Sequence, residues 1–195
     1  MITLCIDTAY KYLTCALIDD DKIIASFSEE CFKHQSEELM NALEKVFSES
    51  NIKKDDIDAI CITKGPGSYT GVRIAMSLAK TICILKKIKL YTISTLALYA
   101  SGKEKQLVLM DARSNRAYVG VYDENKVVIK DCIKELDKID YEGLNLCGDA
   151  HLLGFEDKVI DIPSAFLMTR SVWEEVININ YLVPEYLKES DSYYR

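Results

Sequence analysis

The segment Lys64-Gly65-Pro66-Gly67-Ser68-Tyr69-Thr70-Gly71-Val72-Arg73 is the part of this chain whose residue types and spacing most invite a chemical reading. It lies between an apolar, β-branched run, Ile57 to Thr63, and an apolar stretch, Gly71 to Leu85. A glycine turn between a strand and a helix can bring backbone N–H groups up to a phosphate. The spacing here, G-x-G-x-x-x-G, is not the dinucleotide fingerprint. With no Lys-Ser or Lys-Thr after the last glycine, it is not a Walker loop either. What the residues do allow is close backbone approach at Gly65 and Gly67, a turn stiffened by Pro66, and a cap at Thr70 for the helix that Gly71 opens. A plain strand-to-helix connection needs the same residues.

Other residues with chemical potential are sparse. His34 and His151 are the two histidines. His34 and Glu38 fall one helical turn apart and could form a ligand pair or an acid–base pair. The simpler reading is a surface histidine at a helix start. The run Asp19-Asp20-Asp21 could hold a cation or be a solvated hairpin turn. The seven cysteines, Cys5, Cys15, Cys31, Cys61, Cys83, Cys132 and Cys147, are odd in number, include no CxxC pair and sit mostly inside apolar runs. That is the pattern of buried thiols in a reducing compartment. No spacing of a metal-ligand set is found, so no metal site is expected.

The elements that must position these residues come as a doubled hairpin. Residues 2 to 6 form an apolar run closed by Asp7, residues 12 to 18 form a second, and Lys22 to Phe27 resumes after the acidic turn, a three-strand meander. A gapless shift of 104 residues matches Asp111 to Asp7, Asp123 to Asp19, Lys126 to Lys22 and Val127-Val128 to Ile23-Ile24. Between the meanders, Ser36 to Ser48 reads as an amphipathic helix, with Glu37 and Glu38 at its positive end and Leu39, Met40, Leu43, Val46 and Phe47 in a stripe. The stretch Gly71 to Leu85 reads as a helix apolar nearly all round, so it must be covered on more than one side. The polar stretch Ser101 to Lys105 marks a boundary between lobes 1–100 and 101–195, and the second lobe looks short on helices. Three strands, helix, strand, helix in a duplicated chain imply an α/β protein with mixed sheets flanked by helices.

A chain of 195 residues can bury a core as one domain or two small ones. It shows no apolar run long enough to span a membrane and no leader-like N-terminus, so a soluble, cytoplasmic protein is expected. The net charge of -7 disfavours unaided binding to a polyanion, so any service to RNA is expected to go through a partner. Lys86, Lys87 and Lys89 could touch phosphate, but capping the negative end of the second helix is the simpler role. Tyr181, Tyr186, Tyr193 and Tyr194 lack interleaved basic residues and read as packing or a loose tail rather than a stacking platform.

The turn Gly65 to Arg73, following a strand, resembles the signature turn of the TsaB (YeaZ) family. Other segments agree: Ile6-Asp7-Thr8, the H-x-S-E of His34 to Glu37, Asp111-Ala112-Arg113 with Tyr118 behind it, Gly148-Asp149, and Pro184-x-Tyr186-Leu187. The resemblance spans nearly the whole chain. It implies two ribonuclease H-like lobes of the actin-like, Hsp70-like ATPase (ASKHA) fold, the second reduced. It also implies a role beside the catalytic paralogue TsaD and the ATPase TsaE, in placing threonylcarbamoyl on the adenosine next to the tRNA anticodon.

Active members of that fold hold phosphates on glycine- and threonine-rich loops after the first strand of each lobe, with the aspartate holding magnesium through water. Here the loops read Asp7-Thr8-Ala9-Tyr10-Lys11 and Asp111-Ala112-Arg113-Ser114-Asn115, neither with a glycine. Tyr10 and Arg113 would fill space that a triphosphate needs, leaving Asp7, Thr8, Asp111 and Arg113 as candidates for a residual nucleotide cleft. The paralogue's histidine ligands have no counterpart in Ile93 to Tyr99. The chain is therefore expected to be a non-catalytic scaffold or activator without a cofactor, reaching tRNA through the complex. The expected partner face joins Leu39, Met40, Leu43 and Phe47 to Val72, Arg73, Met76 and Ala79, with a homodimer forming when the chain is alone. The alternative is a small active ATPase or metabolite kinase of the same fold. Peptidase chemistry would need a nucleophile with a nearby histidine or a metal ligand set, and neither is visible.

Overall fold

The computed structural model describes residues 1–31 and 33–187. The element order is β1 (Ile2–Asp7), β2 (Tyr12–Asp19), β3 (Lys22–Glu30), α1 (Gln35–Ser50), β4 (Ala59–Thr63), α2 (Tyr69–Lys86), β5 (Lys89–Ile93) and α3 (Thr95–Ala100). It continues with β6 (Gln106–Asp111), β7 (Arg116–Asp123), β8 (Lys126–Glu135), β9 (Asn145–Gly148), α4 (Ile162–Met168) and β10 (Glu174–Glu175). Two sheets form, one in the order β10-β5-β4-β1-β2-β3 and one in the order β8-β7-β6-β9. In each, a three-strand antiparallel meander is extended by parallel pairing at its first strand, β1 with β4 and β6 with β9. That is the ribonuclease H-like order the resemblance implies, with the second copy one parallel strand shorter.

Burial explains why the central strands read as unbroken apolar runs: both faces of each sheet are covered. On the outer face of the first sheet, α1 and α2 close a core of Leu4, Ile6, Leu17, Leu43, Val46, Ala75 and their neighbours. A second core fills the space between the sheets, where α3 and α4 are sandwiched among Cys5, Ile18, Val108, Met110, Tyr122 and Phe166. The outer face of the second sheet, Leu107, Leu109, Val119 and Val121, is covered by Leu136, Leu144, Leu152 and Leu153 from loops and short 3-10 turns. All seven cysteines are free thiols, with Cys31 and Cys132 half-buried and the rest buried.

The doubling is real at the β2–β3 and β7–β8 hairpins. Asp19 pairs with Lys22 and Asp123 with Lys126, and in each hairpin the register slips after two pairs, between Leu17 and Ile18 and between Val121 and Tyr122, the second hairpin slipping once more between Val119 and Val121. The first strands need a correction. Asp7 pairs with Thr14, whereas Asp111 pairs with Ala117, so the second hairpin loop is one residue shorter. It closes through Arg113, Ser114 and Asn115, all in the left-handed region. The shift is therefore 103 along β1 and β6 and 104 beyond, and a one-residue slip exchanges the faces of a strand. Leu4 and Ile6 correspond to Leu107 and Leu109 on the outer faces, Cys5 to Val108 between the sheets, and Asp7 to Met110. Asp111 is not the counterpart of Asp7.

The proposed lobes 1–100 and 101–195 also exchange a segment. β10 completes the first sheet by pairing with β5, and beyond it Val176, Ile179 and Leu182 pack on the first core. Among the described residues, no helix is long and apolar enough to cross a membrane.

Candidate functional site

The glycine turn is built around the protein's own backbone. A Cβ at Gly65 would stand closer than 3.0 Å to the Glu185 carbonyl oxygen, one at Gly67 to that of Ala9, and one at Gly71 to that of Thr8. Gly65 also has φ +109, which side chains rarely adopt. Hydrogen bonds fix these approaches: Ser68 N donates to Ala9 O (2.7 Å), Glu185 N to Lys64 O (2.7 Å) and Thr95 N to Gly65 O (2.9 Å). The Thr8 hydroxyl donates to Gly71 O at 2.6 Å and accepts from Ala75 N at 3.2 Å. The cap expected at Thr70 falls instead to Ser68, whose side chain accepts from Gly71 N, because α2 begins at Tyr69 and Thr70 is already inside its first turn.

The cleft candidates separate. Asp7 is fully buried and accepts from Thr63 Oγ1 (2.6 Å), Ala9 N (2.9 Å) and the Tyr99 hydroxyl (3.1 Å). Burial holds its carboxyl above the ordinary carboxylate value, against the pull of those donors. Thr8 is buried as well, so neither lines an open cleft: both serve the packing of β1 against β4, α2 and α3. Asp111 and Arg113 are exposed at the hairpin tip, where Asp111 Oδ1 accepts from Arg113 N at 2.6 Å.

What occupies the junction between the lobes is a set of residues that the sequence does not bring together. Asp149, at the end of β9 and 2% exposed, accepts from the Lys11 ammonium (2.5 Å), the Tyr10 hydroxyl and Asp111 N (2.7 Å). Burial and the Asp149 hydrogen bond raise the Tyr10 phenol far above its ordinary value, so it stays a donor. On the other side, Asp131 of β8 accepts from Ser94, ahead of α3, and from Tyr122 of β7. Gly120 leaves the room for Asp131. The visible signal is an aspartate behind a glycine at a strand end, Gly148-Asp149, but its partners lie far away in sequence.

The expected partner face is mostly interior. Leu39, Leu43, Val72, Met76 and Ala79 are buried in the first core, because the apolar stripe of each helix packs on the sheet. Phe47 is half-buried against that core, while Met40 is 60% exposed and Arg73 is exposed. Arg73 reaches back to the Tyr69 hydroxyl (2.7 Å), and Tyr69 stacks on Tyr186 of the C-terminal segment, ring centroids 5.2 Å apart. Lys80 donates to the carbonyls of Asn180 and Leu182. That segment is thus a strap along one side of α2, with its Ile179 and Leu182 packed on the first core. Left half-buried on α2 are Ile74, Leu78 and Ile82, recurring every fourth residue, with Leu85 exposed beyond them.

The remaining candidates take structural places. His34 stands before α1, exposed, 3.1 Å from Glu37. Asp19 and Asp20 lie near the amino terminus, at 3.1 Å each. Lys86 pairs with Asp55 and Lys89 with Glu175, while the Lys87 N–H closes α2 on Cys83 O. Tyr181 is exposed, and Tyr193 and Tyr194 lie outside the described residues.

With this geometry in hand, similarity to known proteins is informative. A family model for TsaD, tRNA N6-adenosine threonylcarbamoyltransferase, matches residues 25–148. The tRNA threonylcarbamoyladenosine biosynthesis protein TsaB of Buchnera aphidicola (subsp. Schizaphis graminum) is 32% identical over 134 residues, 66% of this chain and 63% of that protein. TsaB of Bacillus subtilis is 32% identical over 139 residues, 69% of this chain and 61% of that protein. The chain thus matches under two thirds of the length of these relatives. The solved structure of YeaZ from Pseudomonas aeruginosa superposes with a TM-score of 0.79 at 19% identity, covering 95% of this chain and 99% of that one. It shares the two-sheet α/β fold described above. The chain belongs to the family that the TsaD model describes and, within it, to the TsaB (YeaZ) group.

Proposed function

We propose that this chain is a non-catalytic subunit of the cytoplasmic machinery that makes threonylcarbamoyladenosine on tRNA, acting by binding and stabilising a TsaD-type catalytic partner, with TsaE as the ATPase. The observation that carries the reading is the glycine turn: the space its glycines leave is taken by the carbonyls of Thr8, Ala9 and Glu185 rather than left for a phosphate. The burial of Asp7 supports it, since an aspartate enclosed by Thr63, Ala9 and Tyr99 presents no carboxylate to a magnesium ion. The partner face is the outward part of α1 and α2, with Met40 and Arg73 exposed and Phe47, Ile74, Leu78 and Ile82 half-buried around them. A second copy of the chain takes the same face when the partner is lacking. The net charge of -7 supports contact with tRNA through the complex rather than directly.

The test is reconstitution. Threonylcarbamoyl transfer to tRNA by purified TsaD and TsaE from the same cell is measured with and without this chain, alongside ATP hydrolysis by the chain alone. Modification that depends on the chain, with no hydrolysis by the chain itself, is the expected result. Magnesium-dependent ATP turnover by the isolated chain would favour the ATPase or kinase alternative, and transfer that proceeds equally without it would remove the proposed role.

A further inference from the structure

The second lobe carries positive charge that the proposed function does not use. Where β7 begins and β8 ends, Arg116 pairs with Glu135 across the strands and Ala117 with Lys134. The chain then turns through Leu136–Lys138, held to the β6–β7 loop by Leu136 N, which donates to Asn115 O at 3.0 Å. These elements form a cavity of about 410 Å³ lined by Arg116, Ile133, Lys134, Glu135 and Lys138.

Three of those five side chains are cationic and one is acidic. The acid, Glu135, is taken by Lys138 in an ion pair. Arg116 and Lys134, both half-buried, have no ion pair among the described residues. The first lobe treats its cations otherwise: Lys11, Lys64, Lys86 and Lys89 each face a carboxylate. In a chain of net charge -7, cations left over in a concavity mark a place for an anion. A planar guanidinium beside ammonium groups suits phosphate oxygens. The volume falls in the range of small-molecule sites and exceeds what one phosphate fills. Ile133 is the one apolar side chain of the wall and no aromatic ring lines it, so it offers no platform for a base. Asp137 lies in the same turn and Asp140 just beyond it, both exposed, so a longer run of phosphates would meet carboxylates.

We propose that this cavity binds a small free ligand with two linked phosphoryl groups, held by Arg116 and Lys134 with Lys138 beside them. The inference goes beyond the proposed function and rests on neither the partner face nor the glycine turn. Within the site Glu135 works against the ligand, which gives the binding a signature of opposite signs: removing cations weakens it and removing the carboxylate strengthens it.

The experiment titrates pyrophosphate by calorimetry, at low salt and without magnesium. It compares the wild-type chain, Arg116→Gln combined with Lys134→Gln, Glu135→Gln, and Lys53→Gln combined with Lys54→Gln, which removes the same charge from exposed positions of the first lobe. Saturable binding to the wild type is expected, weakened about tenfold or more in the Arg116 and Lys134 variant. Glu135→Gln should tighten it about threefold, and the Lys53 and Lys54 variant should leave it unchanged. Orthophosphate should bind more weakly than pyrophosphate, and a short single-stranded RNA no better than orthophosphate. Circular dichroism checks that each variant is folded, and a gain of affinity in Glu135→Gln is a result that misfolding does not imitate. Four results overturn the proposal: no binding of pyrophosphate, wild-type affinity in the Arg116 and Lys134 variant, no tightening in Glu135→Gln, or tighter binding of the RNA than of pyrophosphate.

Discussion

The outer faces of the two sheets solve the same problem differently. Both present a row of aliphatic side chains at matched positions, Leu4, Ile6 and Leu17 on the first and Leu107, Leu109 and Val121 on the second. The first is covered by helices of 16 and 18 residues, whose stripes add Leu43, Val46, Ala75 and Ala79 to one core. The second is covered by half-buried leucines on loops and 3-10 turns. A duplicated strand pattern therefore does not oblige a duplicated cover. Helices offer a regular face of their own to a neighbour, and loops do not, which supports the proposed placing of the partner face on the first lobe.

The contrast between the lobes is sharpest at Asp7 and Met110, which occupy corresponding places at the ends of β1 and β6. Met110→Asp would bury a carboxylate in the apolar core between the sheets, without the donors that Thr63, Ala9 and Tyr99 supply to Asp7. A loss of about 4 kcal/mol or more in urea unfolding is expected. Retention of wild-type stability would mean that the second lobe holds a latent acid site like the first.

Next in size are the covers themselves. Leu43→Ala on α1 should cost about 3 kcal/mol, whereas Leu152→Ala, half-buried over the second sheet, should cost about 1 kcal/mol. Equal costs in the same denaturation assay would erase the distinction between the helical and the loop cover.

A further measurement uses the buried acid. The folded-state pKa of Asp7 lies above its ordinary value of 3.8. In the interval above 3.8 the folded chain keeps a proton that the unfolded chain has released, so stability is full below 3.8 and falls as pH rises toward the folded pKa. The limit for one group is about 1.4 kcal/mol per pH unit. The difference in stability between wild type and Asp7→Asn should change with that sign across the interval, and a flat difference would show that Asp7 titrates normally. The smallest effect on stability is expected at the exposed tip of the proposed partner face. Met40→Glu should cost no more than about 0.5 kcal/mol yet abolish association by sedimentation, and unchanged association would place the interface elsewhere.

Much of this was legible in the chain. The acidic turns at Asp19 and Asp123 and the lysines after them mark hairpins that repeat down to the register slip. The stripes of α1 and α2 predict helices within a few residues of their observed ends. What stayed hidden depended on single residues or on distant partners. The gapless match of Asp111 to Asp7 looked natural because both close apolar runs, but the deciding quantity is a hairpin loop one residue shorter, which no periodicity records. Ser68 and Thr70 carry equivalent hydroxyls, and only the observed start of α2 selects between them. Asp149 and Lys11 meet across the lobes, and the strap beyond β10 follows no regular hydrophobic period because it lies along α2 instead of forming a helix or a long strand.

The return of β10 to the first sheet also sets an order of events on the ribosome. The first sheet has most of its strands once Ile93 has emerged, but the outer edge of β5 finds its partner only when Glu174 and Glu175 follow. At ordinary synthesis rates that edge waits on the order of several seconds, as an open template for pairing with another nascent chain. Lys89, at the start of β5, places a charge on that edge during the wait and afterwards pairs with Glu175, whose arrival closes it.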